Sequence, residues 1–334
     1  MKIIALYPLL REEINFNFLR ISIKGLYNIV DEILIAVDYP NYEIKFNTNF
    51  LKKKKIKIFY LNRSVESKRV TGTPRIELLR IGRKNKGTHF IWLDCDEVFT
   101  SPFTKNGRKI ISNMKIGQKI QLRWLSMYKN YKYYRCDKKS IWSNMYKDFI
   151  VCDSPEYNLV TNVLHEPRTQ GPNTLENTIK LPIEKGAVMH LQFVNWTNFL
   201  LKAAWWMCME ITKMKENPMV INRKYFYVYF ENFPALKKIK LSWINHIPKF
   251  YFEKINIDTK DYWNKRYSYF FKKNSIFKFE QLNIWHNSIL KELFVKNTGR
   301  IPRLSFLNRF NLFLYFFLEY LRLIKKFFTF ARVA

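Results

Sequence analysis

Acidic side chains are scarce in this chain, with 27 Asp and Glu against 58 Lys and Arg, a formal charge of +31. That deficit points to a polyanionic partner such as phosphate esters, nucleic acid or an anionic membrane surface, or else to a compositional bias that leaves much of the charge as solvated surface. Cysteine is also sparse. Cys95, Cys136, Cys152 and Cys208 lie far apart with no C-x-x-C pair, so neither a zinc ribbon nor a disulfide framework is indicated, and a reducing cytosol fits best. The glycine-rich phosphate loops are missing: no G-x-G-x-x-G follows the first strand and no G-x-x-x-x-G-K-[ST] occurs, which argues against dinucleotide-binding and P-loop architectures. No internal repeat is present. The opening "MKIIALYPLLREE" reaches charge after a short apolar run and has no small-residue cleavage site, so it reads as a first strand and not as a signal peptide.

What is present suffices for a globular protein. Hydrophobic residues make up 48% of the 334 and charged residues 25%, enough for one large or two smaller cores. "KIIALYPL" reads as a strand buried on both faces, and "EILIAVD", "IKIFYL" and "HFIWLD" as the second, third and fourth strands. Between the first two, Leu19, Ile23, Leu26 and Val30 fall at helical spacing, and "TPRIELLRIGRKNKG" has Pro74 near a helix start and Gly87 past its end. Strands alternating with helices imply βαβ units and a largely parallel sheet, in which ligands bind beyond the carboxyl ends of the strands. Further on, "QKIQLRWLSM" is expected to form a strand. "WTNFLLKAAWWMCMEITKMKENP" forms the best helix, ended by Pro218, in which Trp205 and Trp206 must face different ways. The expected organisation is an α/β domain over 1–218, with halves 1–100 and 101–218, and an aromatic, basic, helical appendage over 219–334.

Against this basic background, "HFIWLDCDEVFTS" gathers Asp94, Asp96 and Glu97 just past a strand. Adjacent carboxylates repel one another unless a cation sits between them. A divalent ion with oxygen ligands, Mn²⁺ or Mg²⁺, can bridge Asp96 to the two phosphates of a nucleotide-sugar while Asp94 reaches the ribose or shares the ion. The competing reading of so short a motif is a solvated turn. Asp38, closing "EILIAVD", occupies the equivalent position on another strand.

In order and spacing, "IALYPLLREE", "EILIAVD" and "RIELLRIGRKNKGTHFIWLDCDEVF" resemble the donor half of inverting family 2 glycosyltransferases of the GT-A fold. "VLHEPRTQG" and "GAVMHLQFVNWTNFLLKAAWW" resemble segments of the lipopolysaccharide-core glucosyltransferase-like members. The resemblance covers about two thirds of the chain and implies a Rossmann-like, largely parallel sheet flanked by helices. It implies that Asp38 contacts the nucleoside, that Arg75 approaches the base or diphosphate, and that Asp94 and Asp96 form the metal motif. The opening strand departs from the family, with "YPLLREE" where many relatives carry an Asn-Glu-Glu type turn, so Glu12 and Glu13 carry no firm role. An inverting transferase needs a carboxylate to take the acceptor hydroxyl's proton. Glu166, in the matched segment and beside Arg168, is the expected base, against a plain ion pair with Arg168; Asp148 and Asp153 are the fallbacks. His190 either completes the metal shell or is structural, and Lys202 either meets a donor phosphate or is solvated on the helix.

The expected partners are therefore a nucleotide-sugar donor, a glycan or glycolipid acceptor and an anionic membrane surface. The terminal "FNLFLYFFLEYLRLIKKFFTFARVA" is interrupted by Glu319, Arg322, Lys325 and Lys326. It lacks the run of about 20 apolar residues needed to cross a bilayer, and reads either as a helix lying in the headgroup plane or as one packed on the domain. The expected location is cytoplasmic, peripheral at the inner face of the membrane. Two other readings stand beside this one. A nucleic-acid-binding protein accounts for the charge, but no RRM, KH, zinc-finger or helix-turn-helix pattern supports it and no nucleic acid is expected. Nucleotidyl or sugar-phosphate transfer uses similar carboxylates and metal.

Overall fold

Every residue of Ile3–Leu9 is buried, which requires a strand covered on both faces, and this segment forms β1. The structure, a computed structural model, describes residues 1–9, 16–37, 54–61, 72–136, 145–159, 177–230, 234–248, 260–273, 276–303, 310, 313–314, 317–318 and 320–321. After β1 come α1 (Phe16–Leu26), β2 (Glu32–Val37), β3 (Ile56–Tyr60), α2 (Gly72–Lys84) and β4 (His89–Trp92). The four strands pair in parallel in the order β3-β2-β1-β4. Then follow β5 (Glu97–Phe99), α3 (Ser101–Ser112), β6 (Lys119–Ser126), β7 (Tyr133–Arg135), β8 (Tyr146–Cys152), β9 (Thr178–Lys180) and β10 (Ala187–His190). The sheet continues from β4 as β8-β6-β10-β5. In it β8 runs antiparallel to both neighbours, β9 and β10 pair in parallel with successive halves of β6, and β5 is antiparallel to β10.

This is the mixed, largely parallel α/β sheet flanked by helices that the alternating pattern predicts. Alternation along the strands explains the layers. Ile3, Ala5 and Tyr7 meet Leu19, Ile23 and Leu26 of α1 and Phe103 and Ile111 of α3 on one face. Ile4, Leu6 and Phe90 meet Leu78 and Leu79 of α2 on the other. Each such aliphatic side chain contributes about 1.5–3 kcal/mol by leaving water.

The turn after α2 is sharper than the sequence suggests. Lys86, not Gly87, takes the left-handed conformation, with φ 58°. Gly87 instead permits close packing: an alanine methyl there would lie 2.7 Å from both Ile4 Cδ1 and Phe90 Cε1 and 3.0 Å from the Gly82 carbonyl. Gly87→Ala is therefore expected to destabilise the sheet by about 1–3 kcal/mol. A urea midpoint equal to that of the parent protein would contradict this packing.

The chain divides into two compact units, one of 1–195 with 234–256 and the other of 196–233 with 257–334. The second begins with α4 (Trp196–Lys213) and α5 (Pro218–Phe230). The intervening β11 (Leu236–Lys238) pairs antiparallel with β7 in the first unit. The second unit resumes with α6 (Lys260–Lys273), α7 (Ile276–Glu280) and α8 (Ser288–Thr298). The sequence reading places its division after 218, whereas α4 packs with the later helices: Trp205 is buried against Trp263, Tyr267 and Phe270. Nor does Pro218 stop α4, which ends at Lys213; it opens α5, where a missing N–H costs no helical bond.

Acid should weaken the first unit. Burial raises the Asp31 and Glu32 carboxyls, but both end below their usual values. Hydrogen bonds from the Ile3 N–H and Arg108 outweigh burial at Asp31, and Lys57 and Lys2 do so at Glu32. Desolvation, assisted by Lys24, lowers His246 to about 4. All three folded-state values lie below the unfolded ones. The stability they contribute is thus complete above about pH 6.5 for the histidine and above about pH 4 for the carboxylates, and is lost as pH falls through the folded values. His246 alone is expected to cost on the order of 2 kcal/mol between pH 6.5 and 4, after allowance for its partial exposure. Urea midpoints that stay level over that interval would contradict the assignment.

Candidate functional site

Since β8 is antiparallel to β4 and to β6, and β10 is parallel to β6, β4 and β10 finish at the same edge of the sheet. Asp94 and Asp96 follow β4 in a tight turn closed by the Glu97 N–H donating to the Asp94 carbonyl at 3.1 Å. His190 is the last residue of β10, and the next N–H, from Leu191, donates to the Asp96 carbonyl at 2.7 Å. The turn and the strand end are thereby joined through the backbone.

The three carboxylates do not form one cluster. Asp94 Oδ1 accepts from Arg75 Nη2 at 3.1 Å, and Arg75, near the start of α2, is buried. Asp96 is buried beside His190, with Oδ2 3.5 Å from Nε2. Glu97 is 0% exposed and serves the interior. Its Oε1 accepts from Trp124 Nε1 at 2.8 Å and its Oε2 from the Asp94 N–H at 2.8 Å. The expectation that Glu97 adds to a shared acidic site is corrected by this arrangement: both of its oxygens are used to hold the Asp94 turn and the Trp124 indole. Trp124 in turn stacks on His190, with ring centroids 4.0 Å apart. Behind them the Glu97 carbonyl accepts from Ser22, whose hydroxyl pairs with Tyr7 at 2.7 Å. Burial drives the Tyr7 phenol far above its ordinary pKa, so it stays neutral.

Residues on several strands thus fix two polar pairs, Arg75 with Asp94 and Asp96 with His190. The second pair bears on whether a cation fits. His190 Nδ1 is buried with no hydrogen-bond partner among the described residues. With the proton on Nδ1, the Nε2 lone pair faces a carboxylate oxygen and a cation between them relieves the repulsion; with the proton on Nε2, the imidazole faces Asp96 as a donor and no cation is needed. Two donors each about 2.1 Å from one ion stand roughly 3.0–3.5 Å apart, a range that includes the observed separation. No group of three His, Cys, Asp or Glu suited to a metal is found among the described residues. A near-ideal octahedral Mg²⁺ would hold adjacent donors about 3.0 Å apart, so the 3.5 Å pair would close slightly around it, with water and substrate phosphate completing the shell.

The other expected residues fall elsewhere. Asp38, Glu166, Glu12 and Glu13 lie outside the described residues. Asp153 sits at the opposite edge, beyond β8, where Arg83 grips both its oxygens at 2.9 and 2.7 Å. Asp148 accepts from Gln121 at 2.8 Å on neighbouring β6. Lys202 belongs to the second unit; it is buried, with its ammonium 5.2 Å from the Trp206 ring. Trp205 is the buried member of the indole pair and Trp206 the half-buried one, so the two do face differently.

The sequence reading missed Trp124 and misplaced Glu97. A signal for both was present in the period-two alternation of β5 and β6, which sets Glu97 with inward Phe99 and Trp124 with inward Leu122.

No protein-family model and no curated protein matches the chain. Among solved structures, S. aureus TarS residues 1–349 in complex with UDP-GlcNAc is similar at 10% identity and TM-score 0.37, over 89% of each chain. HddC from Yersinia pseudotuberculosis is similar at 10% identity and TM-score 0.30, over 57% of this chain and 94% of its own. A putative glucose-1-phosphate thymidylyltransferase from Bacillus anthracis is similar at 9% identity and TM-score 0.28, over 71% and 89%. Likeness at this level assigns no activity.

Proposed function

We propose that the chain is an inverting glycosyltransferase of the GT-A type, moving a sugar from a nucleotide-sugar to a glycan or glycolipid acceptor in surface polysaccharide synthesis. The observation that carries this reading is the Asp94-Cys95-Asp96 turn at the carboxyl edge of a parallel sheet, with Arg75 on one carboxylate and His190 beside the other. Brought there by separate elements, these groups suit a ligand that is anionic at one end and hydroxyl-rich at the other.

In this reading Arg75 and Asp94 meet the nucleoside end of the donor, Arg75 as a fixed cation and Asp94 as an acceptor for ribose hydroxyls. Asp96 and His190 hold Mn²⁺ or Mg²⁺, which when bound neutralises charge on the departing diphosphate. Glu97 positions both partners, through the Asp94 N–H and through Trp124 against the imidazole ring. Asp38 contacts the nucleoside and Glu166 takes the acceptor proton.

The deciding experiment is a panel of nucleotide-sugars, with Mn²⁺ or Mg²⁺, assayed for released nucleoside diphosphate. Release from at least one donor, lost on chelation, is expected. Release of nucleoside monophosphate or pyrophosphate instead would move the assignment to sugar-phosphate or nucleotidyl transfer, and silence across the panel would remove it.

The acceptor's location is part of the proposal. Phe310, Phe313, Leu314, Phe317, Leu318 and Leu321 recur at helical spacing and are 41–67% exposed. No helix among the described residues is long and apolar enough to cross a membrane, so this stripe is proposed to lie in the headgroup plane of an anionic bilayer. The chain should sediment with vesicles containing phosphatidylglycerol. Phe313→Ser/Phe317→Ser should cut the bound fraction several-fold, and equal binding by that variant would refute the role of the stripe.

A further inference from the structure

Arg123 and Trp124 are consecutive on β6 and so point to opposite faces of the sheet. Trp124 lies against His190, which leaves Arg123 on the far face. There Leu125, Tyr134 and Trp243 belong to a separate apolar cluster. On that side lies a hollow of about 190 Å³ whose wall, among the described residues, brings Arg123 together with Lys237, Lys238, Lys240 and Glu184.

Two backbone features assemble this wall from distant stretches of chain. The pairing of β11 with β7 sets Lys237 opposite Tyr134. A single 3₁₀ turn, Leu241–Trp243, closed by the Trp243 N–H donating to the Lys240 carbonyl at 2.9 Å, returns the indole to Lys240. The Lys240 ammonium is 5.5 Å from the centre of that indole, and the Tyr134 and Trp243 rings are 6.5 Å apart. Lys237 shares the face of β11 that carries Tyr134, whereas Lys238 pairs with exposed Tyr133 on the other face, so Arg123, Lys237 and Lys240 bring positive charge to the hollow and favour an anion there. A phosphoryl group offers several acceptor oxygens to a mixed arginine and lysine set. The two aromatic walls suit the apolar face of a sugar ring. The volume, equal to roughly six water molecules, admits a phosphoryl group with part of one sugar.

We propose that this hollow is a second ligand site, separate from the Asp94 and Asp96 edge, that binds a phosphoryl group carried on a polyhydroxyl group, a sugar or a glycerol headgroup. The proposal does not depend on the glycosyltransferase reading. The phosphoryl group has two possible sources, a soluble sugar phosphate or a phosphate-bearing lipid headgroup, and both can be tested.

Cys136 lines the hollow and supplies a local readout. Of the four cysteines it is half-buried, whereas Cys95, Cys152 and Cys208 are buried. In the native full-length chain, alkylation of Cys136 by iodoacetamide, located by peptide mass spectrometry, is expected to slow saturably as glucose 6-phosphate is added. Glucose, and sodium chloride of matched ionic strength, should not slow it. Protection by phosphatidylglycerol vesicles with none by glucose 6-phosphate would identify the source as lipid; the reverse would identify it as soluble. Lys237→Ala/Lys238→Ala should raise the half-protecting concentration at least tenfold. The charge-matched control Lys105→Ala/Lys109→Ala, on α3, should leave it unchanged. Lys240→Ala provides a second test should the double variant not fold. Protection by neither phosphate source, equal protection by chloride, or an equal shift in the control would overturn the proposal.

Discussion

Asp96→Asn should lower turnover of the productive nucleotide-sugar by on the order of a thousandfold, with the thermal midpoint of the unliganded protein almost unchanged. The substitution keeps the shape of the side chain and removes the charge beside His190. An ion or proton lying between Nε2 and Oδ2, at their 3.5 Å separation, would then be held by a neutral pair. Stabilisation of the parent protein by donor plus metal should also disappear. Asp153→Asn is the informative contrast. Its carboxylate is bound to Arg83 by two hydrogen bonds at the other edge of the sheet. Its loss should cost about 1–2 kcal/mol of stability, given that the pair is partly exposed, while turnover per folded molecule stays within about twofold. Turnover in Asp96→Asn equal to that of the parent would sink the proposed site.

Glu97→Ala should behave in the opposite way, failing first in stability. Truncation strands the buried Trp124 indole N–H and the half-buried Asp94 backbone N–H, and leaves a cavity at a position with 0% exposure. Together these losses are expected to cost about 3–5 kcal/mol. Glu97→Gln preserves the volume and one acceptor but turns an amide N–H toward one of the donors, so about 1–3 kcal/mol is expected. Denaturant unfolding followed by tryptophan fluorescence measures both. If Glu97 were instead a metal ligand, as its place in the sequence suggests, its removal would weaken metal binding and leave the apo midpoint intact.

The contrast between Asp96 and Glu97 shows how far the residue order alone reaches. The strands β1, β2 and β4 are legible because burial on both faces gives continuous apolar runs, and the helices α1 and α2 because burial on one face gives a helical period, both of which are properties of a short window; β3, at the sheet edge, is only partly covered. The position of Asp94 and Asp96 past a strand end is legible for the same reason. Which carboxylate does what is not, because the partners that decide it come from far away in the chain. Arg75 precedes Asp94 by 19 residues, and Trp124 follows Glu97 by 27.

The same reason explains the second-half boundaries. The sequence marks α4 as a strong helix and 219–334 as aromatic and basic, but it cannot say with which residues those apolar faces pack. Tertiary structure places α4 with the helices beyond 257 and returns 234–256 to the first unit, where β11 completes a pair with β7 and helps to wall the basic hollow. The sequence by itself determined the α/β class, the strand that carries the acidic turn and the surplus of positive charge, because each depends on local periodicity or on a simple sum. Only the folded chain decided the pairing of Asp94 with Arg75, of Asp96 with His190 and of Glu97 with Trp124, because a buried polar atom must find its partner in space, whatever the distance along the chain.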